Sequence, residues 1–214
     1  MHHHQPNTKD IMLAIIPLLI SAVAAYTLPP NLSDGLYHVQ IDADGNEVHE
    51  ILSTTLFPPT TNNNISARAP EPETLDSNTT PVSGGRYDVR STIMKRQVWC
   101  GCGYTLDRGQ CDTAVNTIKH QLGFWGASFL GAYSSVSGGV VAFACALNGP
   151  AFANDPLVTE DLRIITRWCG RYIAGTRNVG GQPNGFNSVT IGYMRYHAGL
   201  DFCGTARNSN SDHC

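Results

Sequence analysis

The chain has 214 residues, with 14 Lys and Arg against 17 Asp and Glu, a formal net charge of −3 and 42% hydrophobic residues. That length allows one ordinary domain with appendages or two small ones, and the charge lacks the strong basic excess of a typical nucleic-acid binder. All seven cysteines lie at or beyond residue 100, at 100, 102, 111, 145, 169, 203 and 214, a density that points to an oxidising compartment and leaves one thiol over after three pairs.

The apolar run Ile11 to Ile20 is followed by Ser21-Ala22-Val23-Ala24-Ala25. It falls short of the roughly 20 apolar residues of a membrane span. The small residues behind it fit a signal peptide over 1–25, cleaved after Ala24 or Ala25, with Met1 or Met12 as the start. Leu36–Ile41 and Glu47–Leu52 then flank Asp42-Ala43-Asp44-Gly45-Asn46, which predicts a small hairpin with an Asp-Gly turn. Asp42 and Asp44 have the spacing of a calcium loop, but its terminal Glu is missing, so no metal is expected. Residues 53–85 are rich in Pro, Thr, Asn, Ser and Gly and read as a disordered linker. The three sequons, Asn31, Asn64 and Asn78, are confined to this first half, as expected of a glycosylated leader.

Lys95-Arg96 is the only pair of adjacent basic residues in the chain. On an exposed linker it fits a kexin-type secretory protease, which divides the chain into a leader, 26–96, and a mature domain, 97–214. The alternative is a chance basic pair. Nine acidic and five basic residues fall in 26–96, against seven and eight in 97–214.

Within 97–214, Gln97 to Tyr104 reads as a strand. Asp107 caps a helix, with Gln110 in the place of a capping-box partner and Cys111, Val115, Ile118 and Leu122 on one face, up to Gly123. Phe124–Tyr133 and Gly139–Leu147 are strand-like around a turn at 134–138, and Val140 to Cys145 is apolar enough for a central strand. Asp155-Pro156 or Thr159 opens a second helix with Val158, Leu162, Ile165, Cys169 and Tyr172 buried, ending at Gly175. A loop over 176–188, a strand over Val189–Tyr196 and a cysteine-tied tail complete the chain. The order β-α-β-β-α-β predicts an α+β fold: a two-layer sandwich with two helices on one face of an antiparallel sheet, stabilised by disulfides.

The Lys95-Arg96 step, the Trp99-Cys100-Gly101-Cys102 entry, the Val140–Cys145 strand, Trp168-Cys169-Gly170 and the Val189–Tyr196 strand ending near Cys203 together resemble the killer toxins of smut fungi and the necrosis-inducing secreted effectors of plant-pathogenic fungi. The resemblance covers 97–214 only. Cysteine number and spacing differ, so no pairing or site residue is carried over. It implies an extracellular fungal toxin or effector that acts on a target-cell membrane or a host protein.

Cys100-Gly101-Cys102 could be a soft-metal or redox pair, but metal ligands are usually spaced wider and a secreted context favours structural bridges. Arg163, Arg167 and Arg171, at i, i+4 and i+8, predict a basic stripe on the second helix. It would dock an anionic lipid, a polymer or an acidic protein patch, unless it is simply a solvated face. The acidic leader would cover that stripe until cleavage. Tyr193, Arg195 and His197 alternate along the last strand, and with a carboxylate such as Asp201 they would suit a small secreted hydrolase of ribonuclease or polysaccharide-hydrolase type. No nucleophile elbow, zinc-protease motif, phosphate loop or dinucleotide fingerprint is present, and no cofactor is called for. The leading expectation is a secreted binding module, with the hydrolase as the alternative.

Overall fold

A computed structural model of the chain describes residues 26–58, 98–180 and 187–203, without the side chains of 102–104. The signal peptide, the Lys95-Arg96 step, Asn64, Asn78 and Cys214 lie outside the described residues. The fold is α+β, with a large antiparallel sheet and two helices. In chain order the elements are β1 (Gly35–Ile41), β2 (Glu47–Ser53), β3 (Val98–Thr105), α1 (Arg108–Leu122), β4 (Ala127–Phe129), β5 (Ala132–Ser137), β6 (Val140–Ala146), β7 (Ala151–Ala153), α2 (Asp155–Cys169), β8 (Ile173–Val179) and β9 (Val189–Arg195). Seven strands run in the order β2-β1-β5-β6-β9-β8-β3, and β4 and β7 form a small second sheet.

Strand β6 is central, and all seven of its residues are buried. Because side chains alternate across a strand, Val140, Ala142, Ala144 and Ala146 point to one core and Val141, Phe143 and Cys145 to the other. The first core lies under the helices: α1 packs on β5 and β6, and α2 on β3, β8 and β9. Here Cys111, Val115, Ile118 and Leu122 from α1 meet Val158, Leu162, Ile165 and Cys169 from α2. The second core lies on the opposite face, where Tyr26 and Leu28 from the start of the described chain join Leu200 and Phe202 from its end.

Helix α1 begins as its sequence requires, with the Asp107 carboxylate accepting from the Gln110 amide at 2.9 Å. Gln110 does not return the bond as a capping-box partner. Its side-chain oxygen accepts from the Gly139 amide at 2.7 Å and so ties the helix start to the β5–β6 turn. For α2 the cap is Asn154, one residue before the expected Asp155-Pro156, and its side chain accepts from the Leu157 amide at 2.9 Å.

Several parts differ from the sequence reading. The run Phe124–Tyr133, expected as one strand, is split: Ala127–Phe129 pairs with β7 in the second sheet, and β5 begins only at Ala132. Helix α2 ends at Cys169, where Gly170 takes φ 96° and its amide bonds the Thr166 carbonyl; Tyr172 is buried but lies outside the helix. The stretch read as a helix end and loop contains β8, hydrogen-bonded on both sides, to β3 and β9. The expected turn at 134–138 is mostly strand: Ser134 and Ser135 are fully buried between β1 and β6, and the chain reverses at Gly138-Gly139.

The hairpin turn also has a physical cause. The Asp42 carboxylate accepts from the amides of Asp44 (2.9 Å) and Asn46 (2.8 Å), and Gly45 supplies φ 86°. These bonds hold the Asp42 carboxyl below its ordinary range. The hairpin does not stand apart from the cysteine-bearing residues, because β1 pairs along its other edge with β5, from Gly35 opposite Val136 to Val39 opposite Ala132.

Among the described residues two cysteine pairs are bridged: Cys100 to Cys169, joining β3 to the end of α2 with Cα atoms 5.3 Å apart, and Cys145 to Cys203, joining β6 to the last described segment at 6.0 Å. Cys111 is a buried free thiol.

Candidate functional site

The Cys100 bridge to α2 turns that side chain towards the helices, so strand alternation turns Trp99 and Gly101 to the opposite face. On β9, Tyr193 likewise points to the helices and Met194 away from them. Over this side of β3, β8 and β9 lies an open cleft of about 390 Å³, walled by Trp99, Thr176, Met194, Tyr196 and Leu200, with Arg195 and His197 also lining it. Gly101 and Ala174 lie side by side in its lining, where a Cβ at 101 would come within 2.9 Å of the Ala174 methyl. A second hollow, of about 470 Å³, opens at the start of α1 between Asp107, Gln110 and Val140, and Arg195 lines it too.

The three residues expected along the last strand are therefore divided. Arg195 and His197 share the cleft, both exposed. Tyr193 is buried on the other side, beside Cys111, and burial raises its hydroxyl well above the ordinary tyrosine range. The alternation does not reach His197, because β9 ends at Arg195; the His197 ring nitrogen Nδ1 lies 3.0 Å from the Ala198 carbonyl oxygen. Asp201 sits in the segment bridged to Thr27.

The three arginines do not form one line. Arg163 forks onto Glu160, with Nε 2.8 Å from Oε2 and Nη2 2.7 Å from Oε1, and this holds the Glu160 carboxyl below its ordinary range. Arg167 is exposed in the last turn of α2. Arg171 lies beyond the end of the helix, its guanidinium 5.2 Å from the centre of the Tyr172 ring, a cation–π contact. The described part of the leader does not cover them, since β1 and β2 lie at the sheet edge opposite the β3 and β8 strands on which α2 packs. Of the sequons, Asn31 is exposed with φ 62°.

Sequence reasoning missed two features. One is the ion pair between Asp161 on α2, 2% exposed, and Arg177 on β8. Nothing in the sequence marks it, because Arg177 reads as a loop residue. The other is the edge-to-face pair Phe124 and Trp125, ring centres 5.4 Å apart, which stands out from the end of α1 with Phe124 69% and Trp125 88% exposed. Its signal was present: two aromatics directly behind the helix stop Gly123 do not continue the α1 stripe.

Cys111 offers no nucleophile. Burial, reinforced by Asp112 and Asp107, pushes its thiol up to about 12. Among the described residues no group of three or more His, Cys, Asp or Glu is placed to hold a metal ion, and no helix is long and apolar enough to cross a membrane. Comparison of the chain with family models, with curated proteins and with solved structures finds no match.

Proposed function

We propose that this is a secreted, kexin-processed, disulfide-stabilised binding module of the fungal toxin or effector type, a two-layer sandwich that acts by recognising a membrane or host protein outside the producing cell. The observation that carries this reading is the cleft itself: apolar and aromatic walls from Trp99, Met194, Tyr196 and Leu200, with the cation Arg195 and the titratable His197 beside them. Aromatic walls with a few polar groups suit recognition of a partly apolar target, and the exposed Phe124–Trp125 pair adds a second anchor. The two bridges suit an extracellular setting.

The same cleft favours one second reading, a small hydrolase, because it brings Arg195 and His197 together. Alanine at both positions separates the two. Loss of turnover on RNA or polysaccharide, with target-cell binding kept, would establish the enzyme. The module is supported when binding falls with Trp99→Ala and Trp125→Ala, or with charge reversal at Arg163, Arg167 and Arg171, while no turnover is found in the wild type.

A further inference from the structure

Residues 26–58, ahead of the dibasic step, contribute β1 and β2 to the sheet. Strand β1 lies between β2 and β5, so without it β5 would expose a full edge of unpaired backbone groups. Tyr26, Leu28, Tyr37 and Val39 are a third of the core on the cleft side of the sheet, and Leu36 enters the core under the helices. Gly131 has φ 78°, and a Cβ there would overlap the Val39 carbonyl, so the seam is keyed by backbone contact.

Polar bonds fix the same seam. The Gly138 amide donates to the Asp34 carboxylate at 2.8 Å. The Tyr196 hydroxyl donates to the Pro29 carbonyl at 2.7 Å and accepts from the Leu32 amide at 3.0 Å. Leu28 exchanges backbone bonds with the returning chain, its amide to the Leu200 carbonyl at 3.0 Å and its carbonyl from the Gly199 amide at 2.8 Å. On the other side of the sheet, Phe57 stacks on His120 of α1 at 3.7 Å and its amide donates to the Thr117 hydroxyl at 3.0 Å. Tyr196 and Leu200, which this segment holds, are walls of the cleft.

We infer that residues 26–58 are a permanent subunit and not a leader released on processing: when the chain is cut at Arg96, they stay bound to residues 97–214 and complete the cleft wall. The union is non-covalent, because every cysteine lies at or beyond 100. As to where the cut falls, this inference rests on the processing reading proposed above. That the segment stays bound rests on the seam alone.

The test uses purified full-length chain treated with a kexin-type protease, and a second protein carrying an unrelated protease sequence within 59–97, which is cut whether or not Lys95-Arg96 is used. The expected result is one native gel-filtration peak holding both pieces in equal amounts, resolved only in denaturant, with the Gly199 and Phe202 amides as protected from hydrogen exchange as in uncut protein. Elution of the 26–58 piece apart from a folded, disulfide-bonded 97–214 piece would overturn the inference. Resistance at Lys95-Arg96, with association kept in the second protein, would reject the processing reading alone. In the cut second protein, Tyr196→Phe, which removes both hydroxyl bonds, should weaken association at least tenfold; unchanged association would show that these bonds do not hold the segment. The uncut Tyr196→Phe chain keeps its fold through the tether, and this separates a weakened seam from a protein that cannot fold.

Discussion

Asp161 on α2 is ion-paired with Arg177 on β8, both largely out of solvent, and this pair crosses from the helix layer to the sheet. Neither charge is exposed enough for water to replace its partner, and the second Asp161 oxygen and the Arg177 Nε have no bond of their own. Removing one partner of such a pair costs about 3–5 kcal/mol, because the other stays buried and unpaired. Asp161→Asn and Arg177→Met should each lower stability in urea by roughly that much. The double replacement Asp161→Leu with Arg177→Met should recover most of the loss, since apolar groups of similar volume are tolerated there. If the single and double variants unfold at the same urea concentration, the pair does not couple α2 to β8.

The same pair explains why β8 was not legible. Thr176-Arg177-Asn178 has the composition of a loop, and Arg177 lies in a strand where Asp161, on an element distant in sequence, neutralises it. Ser134 and Ser135 hid β5 for a related reason: their burial follows from pairing with β1 and β6, which local propensity does not encode. The end of α2 was misplaced because Tyr172 continues the apolar spacing of Val158, Leu162, Ile165 and Cys169 by coincidence, while Gly170 stops the helix. Where one local pattern suffices, the sequence was readable: the Asp42–Gly45 turn, the Asp107 cap, the buried stripe of α1 and the apolar β6. Of the candidate site, Arg195 and His197 were visible, but the cleft was not. Its walls come from β3, β8, β9 and the following loop, which only the sheet order brings together.

The Cys111 thiol should resist alkylation in the native protein and react fully in denaturant, counted by the mass added with iodoacetamide at pH 8. Its folded value is raised from 9.0 to about 12. The native state therefore keeps the proton where the unfolded chain loses it, so the contribution is whole below pH 9 and falls as pH rises towards 12. Stability should drop by up to about 1.4 kcal/mol between pH 9 and pH 10. Cys111→Ala should reduce that slope, leaving the part that comes from the raised hydroxyls of Tyr193, Tyr172 and Tyr26. A native protein that alkylates at the rate of a free thiol would show that Cys111 is reached by solvent.

Phe124 and Trp125 contribute little to the fold at their exposure, so Phe124→Ser with Trp125→Ser should change stability by no more than about 0.5 kcal/mol. If the pair anchors the target, the same change should cost about 2 kcal/mol or more of binding, roughly thirtyfold in Kd, measured on intact target cells or extracted surface components. Unchanged binding would remove this patch from the recognition surface and leave the cleft.

The Cys145–Cys203 bridge closes a loop with a sequence separation of 58. Loop-closure entropy for that length gives about 4 kcal/mol, so Cys145→Ala with Cys203→Ala should cost up to that amount in denaturant unfolding. The loss should not be spread evenly. Cys203 follows the segment 199–202 that pairs with Tyr26 and Leu28, so freeing it loosens the chain that holds the start of β1's sequence neighbourhood and the Leu200 wall of the cleft. Hydrogen exchange should quicken first at Gly199 and Phe202, whose amides donate to Leu28 and Tyr26, while amides of α1 and α2 keep their protection. The Cys100–Cys169 bridge acts at the β3 edge of the sheet, and alanine at both of its ends should instead loosen β3 against α2 and leave Gly199 and Phe202 protected. Equal loosening of both regions in either variant would mean that the sheet opens as one unit and that the bridges stabilise it only globally.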